Sequence, residues 1–190
     1  IIGFIVGLPT FRVSGIYLGM VTLGMAEIIR LLALNLNFTK GPMGLTGIPP
    51  FSVFGQYVFD LWKIYYIIAF IFFIVLIFIT HLIDSRVGEA FQAIRADELA
   101  ASSMGINTGY YKVLAFGISG AIAGIAGGLY AHYMTYISPS AFGTDLAILI
   151  LMMIVVGGMA SIPGSLVGAI LLTVLPEVFR FVAAYRLVIY

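Results

Sequence analysis

The sequence predicts an all-α integral membrane protein, a polytopic helical bundle, on three observations. Hydrophobic residues fill 62% of the 190 positions and charged residues only 9%, with a mean hydropathy of +1.15. Soluble domains carry about 25% charged residues, and a soluble fold of this size has too little interior for so much apolar surface, so most of it must meet lipid. The apolar residues also fall in long runs, and about 20 in succession suffice to cross a bilayer as a helix. Finally, the charge is concentrated: Asp84 to Lys112 holds seven of the seventeen Asp, Glu, Lys and Arg residues, a density that hydrocarbon does not accommodate.

In chain order, Ile1–Leu8 reads as the tail of a helix that Pro9 ends. Gly15–Asn35 is long enough to span. Lys63–Ile83 is apolar on every side, so one face is expected to meet lipid. Val113–Met134 is apolar and rich in glycine. Leu146–Val156 and Leu166–Phe181 are shorter, with GGMASIPGS between them; they read either as spans or as shorter helices broken by an irregular turn inside the protein. The chain starts with apolar IIGFIVGL and has no basic region with a cleavage site, so this is not a signal peptide. With RLVIY at the other end, the sequence reads as a fragment lacking terminal spans. Nothing marks a second domain: residues 1–190 are expected to form one transmembrane domain, with 84–112 as an aqueous element inside it.

Charge sets the orientation. Arg12, Arg86, Arg95 and Lys112 fall on one side and Lys40 and Lys63 on the other, which favours the first side as cytoplasmic. Tyr57, Trp62, Tyr65 and Tyr66 cluster where an outer aromatic belt belongs. The 84–112 element is then cytoplasmic, and the loops 36–62 and 135–144 are external.

Within that element Ala90, Phe91, Ile94 and Ala101 recur at roughly helical spacing among polar residues. Asp97 can cap a short helix, ELAASSM. Gly105 fits the left-handed position that closes a helix, and Ile106 can pack back on it. Such a helix suits the docking of a soluble partner. It also suits an ordinary loop helix or one lying at the lipid interface, although interfacial helices usually show many Lys and Arg on the polar face and this one shows Asp97 and Glu98.

Four further features stand out. Gly117, Gly120, Gly124 and Gly128 lie three or four apart, with Ala121 and Gly127 beside them; small residues at that spacing let helix backbones approach closely. Gly157, Gly158, Gly164 and Gly168 extend the theme. Glu27 and Arg30 are a charged pair well inside a span, on one face by their i, i+3 spacing; such a pair either belongs to a substrate path or ties helices together. TKGPMGLTGIPP sets Gly41, Gly44 and Gly47 three apart among prolines, which excludes a regular helix. It either lines a cavity and offers backbone N–H groups to a carboxylate or forms a rigid external turn.

Other chemistry is excluded or unsupported. The chain has no cysteine, hence no thiolate nucleophile and no Cys-based zinc site. His81 and His132 stand near opposite membrane faces and suggest no metal site. The G-x-x-x-x-G-K-[ST] phosphate loop is absent, so this polypeptide does not hydrolyse ATP by that route. A net charge of +1 gives no indication of nucleic acid.

Several blocks in order, YLGMVTLGMAEIIRLLALN, TKGPMGLTGIP, RVGEAFQAIRADELAASSMGINTGYYKVLAFGISGAIAGIAGGLYA and MMIVVGGMASIPGSLVGAILLTVLPE, resemble the permease subunit of branched-chain amino-acid ABC importers of the LivM type. The resemblance covers the chain from about Leu8 to Arg180. It implies a multi-pass permease in a bacterial or archaeal inner membrane, paired with a second, related or identical permease subunit. It also implies two cytoplasmic ATPases that hold ATP and Mg, an external substrate-binding protein, and no cofactor or catalytic residue in this chain. ABC permeases generally present a coupling helix with a signature similar to E-A-A-x-x-x-G. Ala100, Ala101 and Gly105 fit it, whereas Leu99 occupies the acidic slot and Glu98 lies one residue early. By this resemblance Phe91, Ile94, Asp97, Glu98, Leu99, Ala100, Ala101 and Gly105 form the ATPase-coupling element. The candidate substrate path runs through Glu27, Arg30, Gly41, Gly44 and Gly47. The same superfamily includes urea and short-chain amide importers. An ion-coupled secondary transporter, with Glu27 as its coupling carboxylate, is the rival from another class.

Overall fold

The computed structural model describes residues 2–7, 16–53, 56–57 and 60–186, so Pro9, Arg12 and Gly15 lie outside the described residues. The chain packs as two units, 1–138 and 139–190.

The first unit contains α1 (Ile2–Gly7), α2 (Ile16–Asn35), α3 (Leu61–Ile83), α4 (Arg86–Ala96), α5 (Glu98–Ser103) and α6 (Thr108–Met134). Four two-residue strands accompany them: β1 (Leu45–Thr46), β2 (Ser52–Val53), β3 (Gln56–Tyr57) and β4 (Tyr136–Ile137). The second unit holds a 3-10 turn at Pro139–Phe142, then α7 (Thr144–Gly157) and α8 (Ile162–Arg186). Among the described residues four segments are long and apolar enough to cross a membrane: Tyr17–Asn35, Leu61–Ile83, Thr108–Met134 and Ile162–Phe179. The protein is an all-α polytopic membrane protein. Helix α3 fits the expected lipid contact, since Phe70, Phe73, Ile74, Ile77 and Phe78 are exposed along it.

Strand pairing fixes which loops share an end of the first unit. β1 pairs antiparallel with β4, Leu45 opposite Ile137 and Thr46 opposite Tyr136. The Ile48 N–H donates to Thr135 O at 3.2 Å. His132 Nδ1 lies 2.8 Å from Pro49 O, and since a carbonyl can only accept, this nitrogen carries the proton. The 36–60 loop and the end of α6 therefore meet at one end, and the 84–107 segment between α3 and α6 sits at the other. That is the parity the charge distribution demands.

Glycines set the closest helix contacts. In the first unit a Cβ on Gly120 would stand 2.8 Å from Gly3 Cα, and one on Gly3 would stand 2.5 Å from Phe116 O, so α1 lies directly on the α6 backbone. Gly117 is buried under the Phe4 ring. Among the described residues Gly124 and Gly128 meet nothing within 4 Å, so no described residue packs on their side of α6 at these positions.

In the second unit Gly157, Gly164 and Gly168 pack α7 against α8. A Cβ on Gly157 would overlap the Gly164 carbonyl, one on Gly164 the Gly157 carbonyl, and one on Gly168 the Met153 carbonyl. The turn between them uses Gly158 (φ +98) and Ala160 (φ +70). Of the two readings open for Leu166–Phe181, a span or a shorter helix, the structure supports the span and moves its start: α8 begins at Ile162, runs 25 residues, and is long and apolar enough to cross a membrane over Ile162–Phe179. Ser161 Oγ accepts from the Gly164 N–H at 3.2 Å and caps it. Pro163 falls in the first turn, where no N–H is needed, so SIPGS is a helix start rather than part of the turn. Helix α7, at 14 residues, is about 21 Å long and falls short of a bilayer core of roughly 30 Å. Replacing Gly164 with valine is expected to lower the unfolding midpoint by on the order of 5–10 °C, because the obstacle is backbone and the cost reaches the upper end of overpacking, about 3 kcal/mol. A thermal melt in detergent checks this, and an unchanged midpoint would remove the hairpin from the account.

Candidate functional site

The segment from Ser85 to Tyr111 folds into two short helices between two spanning ones, and each junction is closed by a polar side chain. Ser85 starts α4: its Oγ donates to Leu82 O at 2.6 Å and accepts, weakly, from the Gly88 N–H at 3.5 Å. Asp97 serves both helices. Its N–H donates to Ala93 O at 3.1 Å and ends α4, while its Oδ1 accepts from the Leu99 and Ala100 N–H groups at 2.8 and 3.0 Å and starts α5. Asn107 Oδ1 accepts from the Tyr110 N–H at 3.1 Å and starts α6.

Helix α5 ends as the sequence predicts. Gly105 adopts φ +86, its N–H donates to Ser102 O at 3.0 Å, and the Ile106 N–H reaches back to Ala101 O at 3.1 Å. This pair of bonds closes the terminus on both orphan carbonyls. Six residues are too few for a helix to hold itself in water, since isolated helices below about 12–15 residues are marginal. The caps and the packing therefore carry it. Replacing Asp97 with alanine removes an acceptor worth about 1 kcal/mol. Amide exchange at Leu99 and Ala100 is expected to quicken about fivefold, while Asp97→Asn stays near wild type. Unchanged exchange in the alanine variant would contradict the cap.

The eight residues proposed for coupling divide by burial. Ala101 is 4% exposed and so is a packing position, like Ala90 beside the set, which is 6% exposed. Phe91 meets Tyr111 edge to face, with ring centroids 6.1 Å apart, and ties α4 to α6; Ile94 is half-buried on the same helix. Asp97, Leu99, Ala100 and Gly105 are exposed, Leu99 at 79%. Glu98 is turned inward, where its Oε1 pairs with Lys112 Nζ at 2.5 Å. The outward apolar surface is therefore Leu99 with Met104, the latter 83% exposed.

Sequence reasoning missed three features here. Met104 sits at the helix end, where periodicity says little. The Glu98–Lys112 pair links residues 14 apart and has no local signature. Gly88 looked like an interior helix glycine, yet it is buried at the α3–α4 corner and a Cβ there would overlap the Ile83 carbonyl.

The remaining candidates lie elsewhere in the first unit. Glu27 and Arg30 bind each other: Arg30 Nε donates to Oε2 at 2.9 Å and Nη2 to Oε1 at 2.5 Å. The pair is internal to α2 and, among the described residues, ties no second helix, a correction to the interhelical pairing that the sequence allowed. Two charges that neutralise each other bidentately are far cheaper in a bilayer than either alone. In the 36–60 loop, Gly41 opens a 3-10 turn, Gly44 is buried at φ +71 against the Ile137 carbonyl, and Gly47 is exposed. Only glycine fits at position 44, where β1 crosses β4. The Gly44 N–H donates to Gly41 O at 3.2 Å, so part of the loop's donor set is spent on the turn itself. Between α3 and α6 lies a groove of about 360 Å³ lined by residues such as Ile68, Phe72, Ile125, Leu129 and Tyr133, with no charged side chain. A zwitterion there would lose hydration without gaining a partner. Among the described residues no group of three His, Cys, Asp or Glu could hold a metal ion.

Fold and site together define a multi-pass helical membrane protein that presents a capped, two-helix element between two spans. The whole chain, residues 1–190, matches a family described as the branched-chain amino acid transport system / permease component. It is 34% identical to the high-affinity branched-chain amino acid transport system permease protein LivM of Escherichia coli K12, over 94% of this chain and 48% of that protein. It is 28% identical to the probable branched-chain amino acid transport permease protein LivM of Methanocaldococcus jannaschii, over 98% of this chain and 56% of that one. A shorter match, 37% identical, aligns 47% of this chain with 29% of the high-affinity permease protein LivH of Salmonella typhimurium. The chain belongs to the branched-chain amino acid transport permease family. It spans about half the length of the curated relatives it matches. No solved structure matches it.

Proposed function

We propose that this chain is the central part of the permease subunit of an ATP-driven importer for leucine, isoleucine and valine, in the inner membrane of a bacterium or archaeon. One observation carries the reading: the capped α4–α5 element, with Leu99 and Met104 exposed, stands between the spanning helices α3 and α6. Exposed apolar side chains on a short, rigidly terminated helix are what a groove on a soluble subunit can grip. ATP and Mg belong to two such cytoplasmic ATPase subunits, and this chain is a transport component rather than an enzyme. A second permease subunit supplies the other half of the path, in keeping with the similarity to both LivM and LivH proteins. An external binding protein delivers the amino acid to the end formed by the 36–60 loop and β4. Closure of the ATPases moves α5, and packed helices then shift around a central path between outward- and inward-open arrangements. In this reading Glu27, Arg30 and the 41–47 loop belong to that path, the loop at its outer end.

The test is uptake in vesicles rebuilt from the full-length permease, its partner permease, ATPases and binding protein. Leucine uptake that requires ATP and resists excess urea is the expected result. Urea uptake instead would keep the mechanism and overturn the substrate, and uptake driven by an ion gradient alone would overturn both.

A further inference from the structure

Lys112 is an unusual place for a lysine. It lies five residues into α6, near the positive end of the helix dipole, where a cation is disfavoured. Its side chain is only 13% exposed, so it has also lost most of its water. A charge in that position requires a fixed anion, and Glu98, in the first residue of α5, supplies it. This salt bridge joins two helices, whereas Glu27 with Arg30 and Asp60 with Lys63 are pairs three residues apart. The neighbouring residue, Tyr111, holds α4 through Phe91. Consecutive residues of one spanning helix thus anchor both halves of the polar element. The same helix is seated by Gly117 and Gly120 directly on α1, so a displacement at its foot must travel along it.

We propose that Glu98 and Lys112 form the strut through which movement of α5 is passed to α6. This rests on the importer reading above and assigns the pair a positioning role: Glu98 transmits force through Lys112 and touches neither substrate nor nucleotide. An ion pair suits the task better than an apolar contact: Glu98 keeps some water at 36% exposed, but separating the pair leaves the Lys112 charge, 13% exposed, without its anion and with little water, which resists the two helices moving apart. An apolar contact at the same place could slide.

The experiment uses the complete transporter reconstituted in vesicles and reads the ratio of leucine moved to ATP hydrolysed. Wild-type activity comes first, since a wild-type complex without ATP-driven uptake would defeat the importer reading, and with it the strut. Given that activity, Glu98→Gln and Lys112→Gln are each expected to lower the ratio about tenfold in complexes that still assemble and still hydrolyse ATP. The exchanged pair, Glu98→Lys with Lys112→Glu, is expected to recover at least half of it. A merely structural role would reduce assembled complex and leave the ratio per complex unchanged. Single variants with a wild-type ratio, or an exchanged pair no better than the singles, would overturn the strut while leaving the importer standing.

Discussion

Replacing Gly88 with valine is expected to abolish transport, to below a tenth of wild type, by opening the corner between α3 and α4. The cause is steric. A Cβ at residue 88 would overlap the Ile83 carbonyl and stand 2.5 Å from its carbon and 2.6 Å from Ile83 Cα. These are backbone atoms of the helix end that α4 folds against, so no side-chain rotation relieves them. Overpacking against movable side chains costs about 1–3 kcal/mol, and a backbone obstacle reaches or passes that upper limit. Alanine carries the same Cβ and is expected to be nearly as damaging. Because α4 carries α5, the proposed docking surface is displaced together with the Phe91–Tyr111 and Glu98–Lys112 contacts to α6, while α2 and the seat of α6 on α1 keep theirs. Co-purification of the ATPases with Gly88→Val and Gly88→Ala checks this; normal recovery with normal uptake would show that the corner is not rigid.

Gly105→Val is expected to act differently. Nothing lies within 4 Å of the position where its Cβ would stand, so the cost is conformational. At φ +86 a β-branched residue is strained by about 1–3 kcal/mol. That suffices to unwind the last turn of a six-residue helix and to release the Ile106 bond to Ala101 O. The spans do not depend on it, so expression and melting are expected to stay near wild type while uptake per complex falls about tenfold, the effect of roughly 1.4 kcal/mol. Asparagine tolerates the left-handed region and should rescue most of the loss, with alanine in between. The order of variants at 105 thus follows backbone preference, whereas at 88 any Cβ fails. Equal loss for asparagine and valine at 105 would contradict the left-handed cap.

These two glycines also show how far the sequence could be read. Gly105 was legible because its evidence is local: a polar cap at Asp97, a run of helix formers, then glycine followed by Ile106. Helices α2 and α3 were bounded to within two residues by hydropathy for the same reason. Gly88 was not recognised because its neighbour Ile83 closes on it only after the chain turns at Ser85. The Glu98–Lys112 pair and the His132 bond to Pro49, separated by 83 positions, belong to tertiary structure alone. The α6 glycines were correctly grouped as small residues, yet spacing could not tell Gly117 and Gly120, which meet α1, from Gly124 and Gly128, which meet open space. The start of α8 was misplaced because glycine and proline in SIPGS resemble a turn until Ser161 is seen to cap the helix.

The central claim is that ATPase subunits act on this chain at α5. These 190 residues hold no cysteine, so single cysteines can be placed in them once any others in the assembled transporter have been replaced. Leu99→Cys and Met104→Cys lie on the proposed docking surface, and Met43→Cys lies at the opposite end of the unit, 80% exposed before substitution. With a short thiol-directed cross-linker, residues 99 and 104 are expected to join the ATPase subunits and residue 43 to leave them free. Cross-links at 43, or none at both 99 and 104 in a complex that transports, would place the docking surface elsewhere.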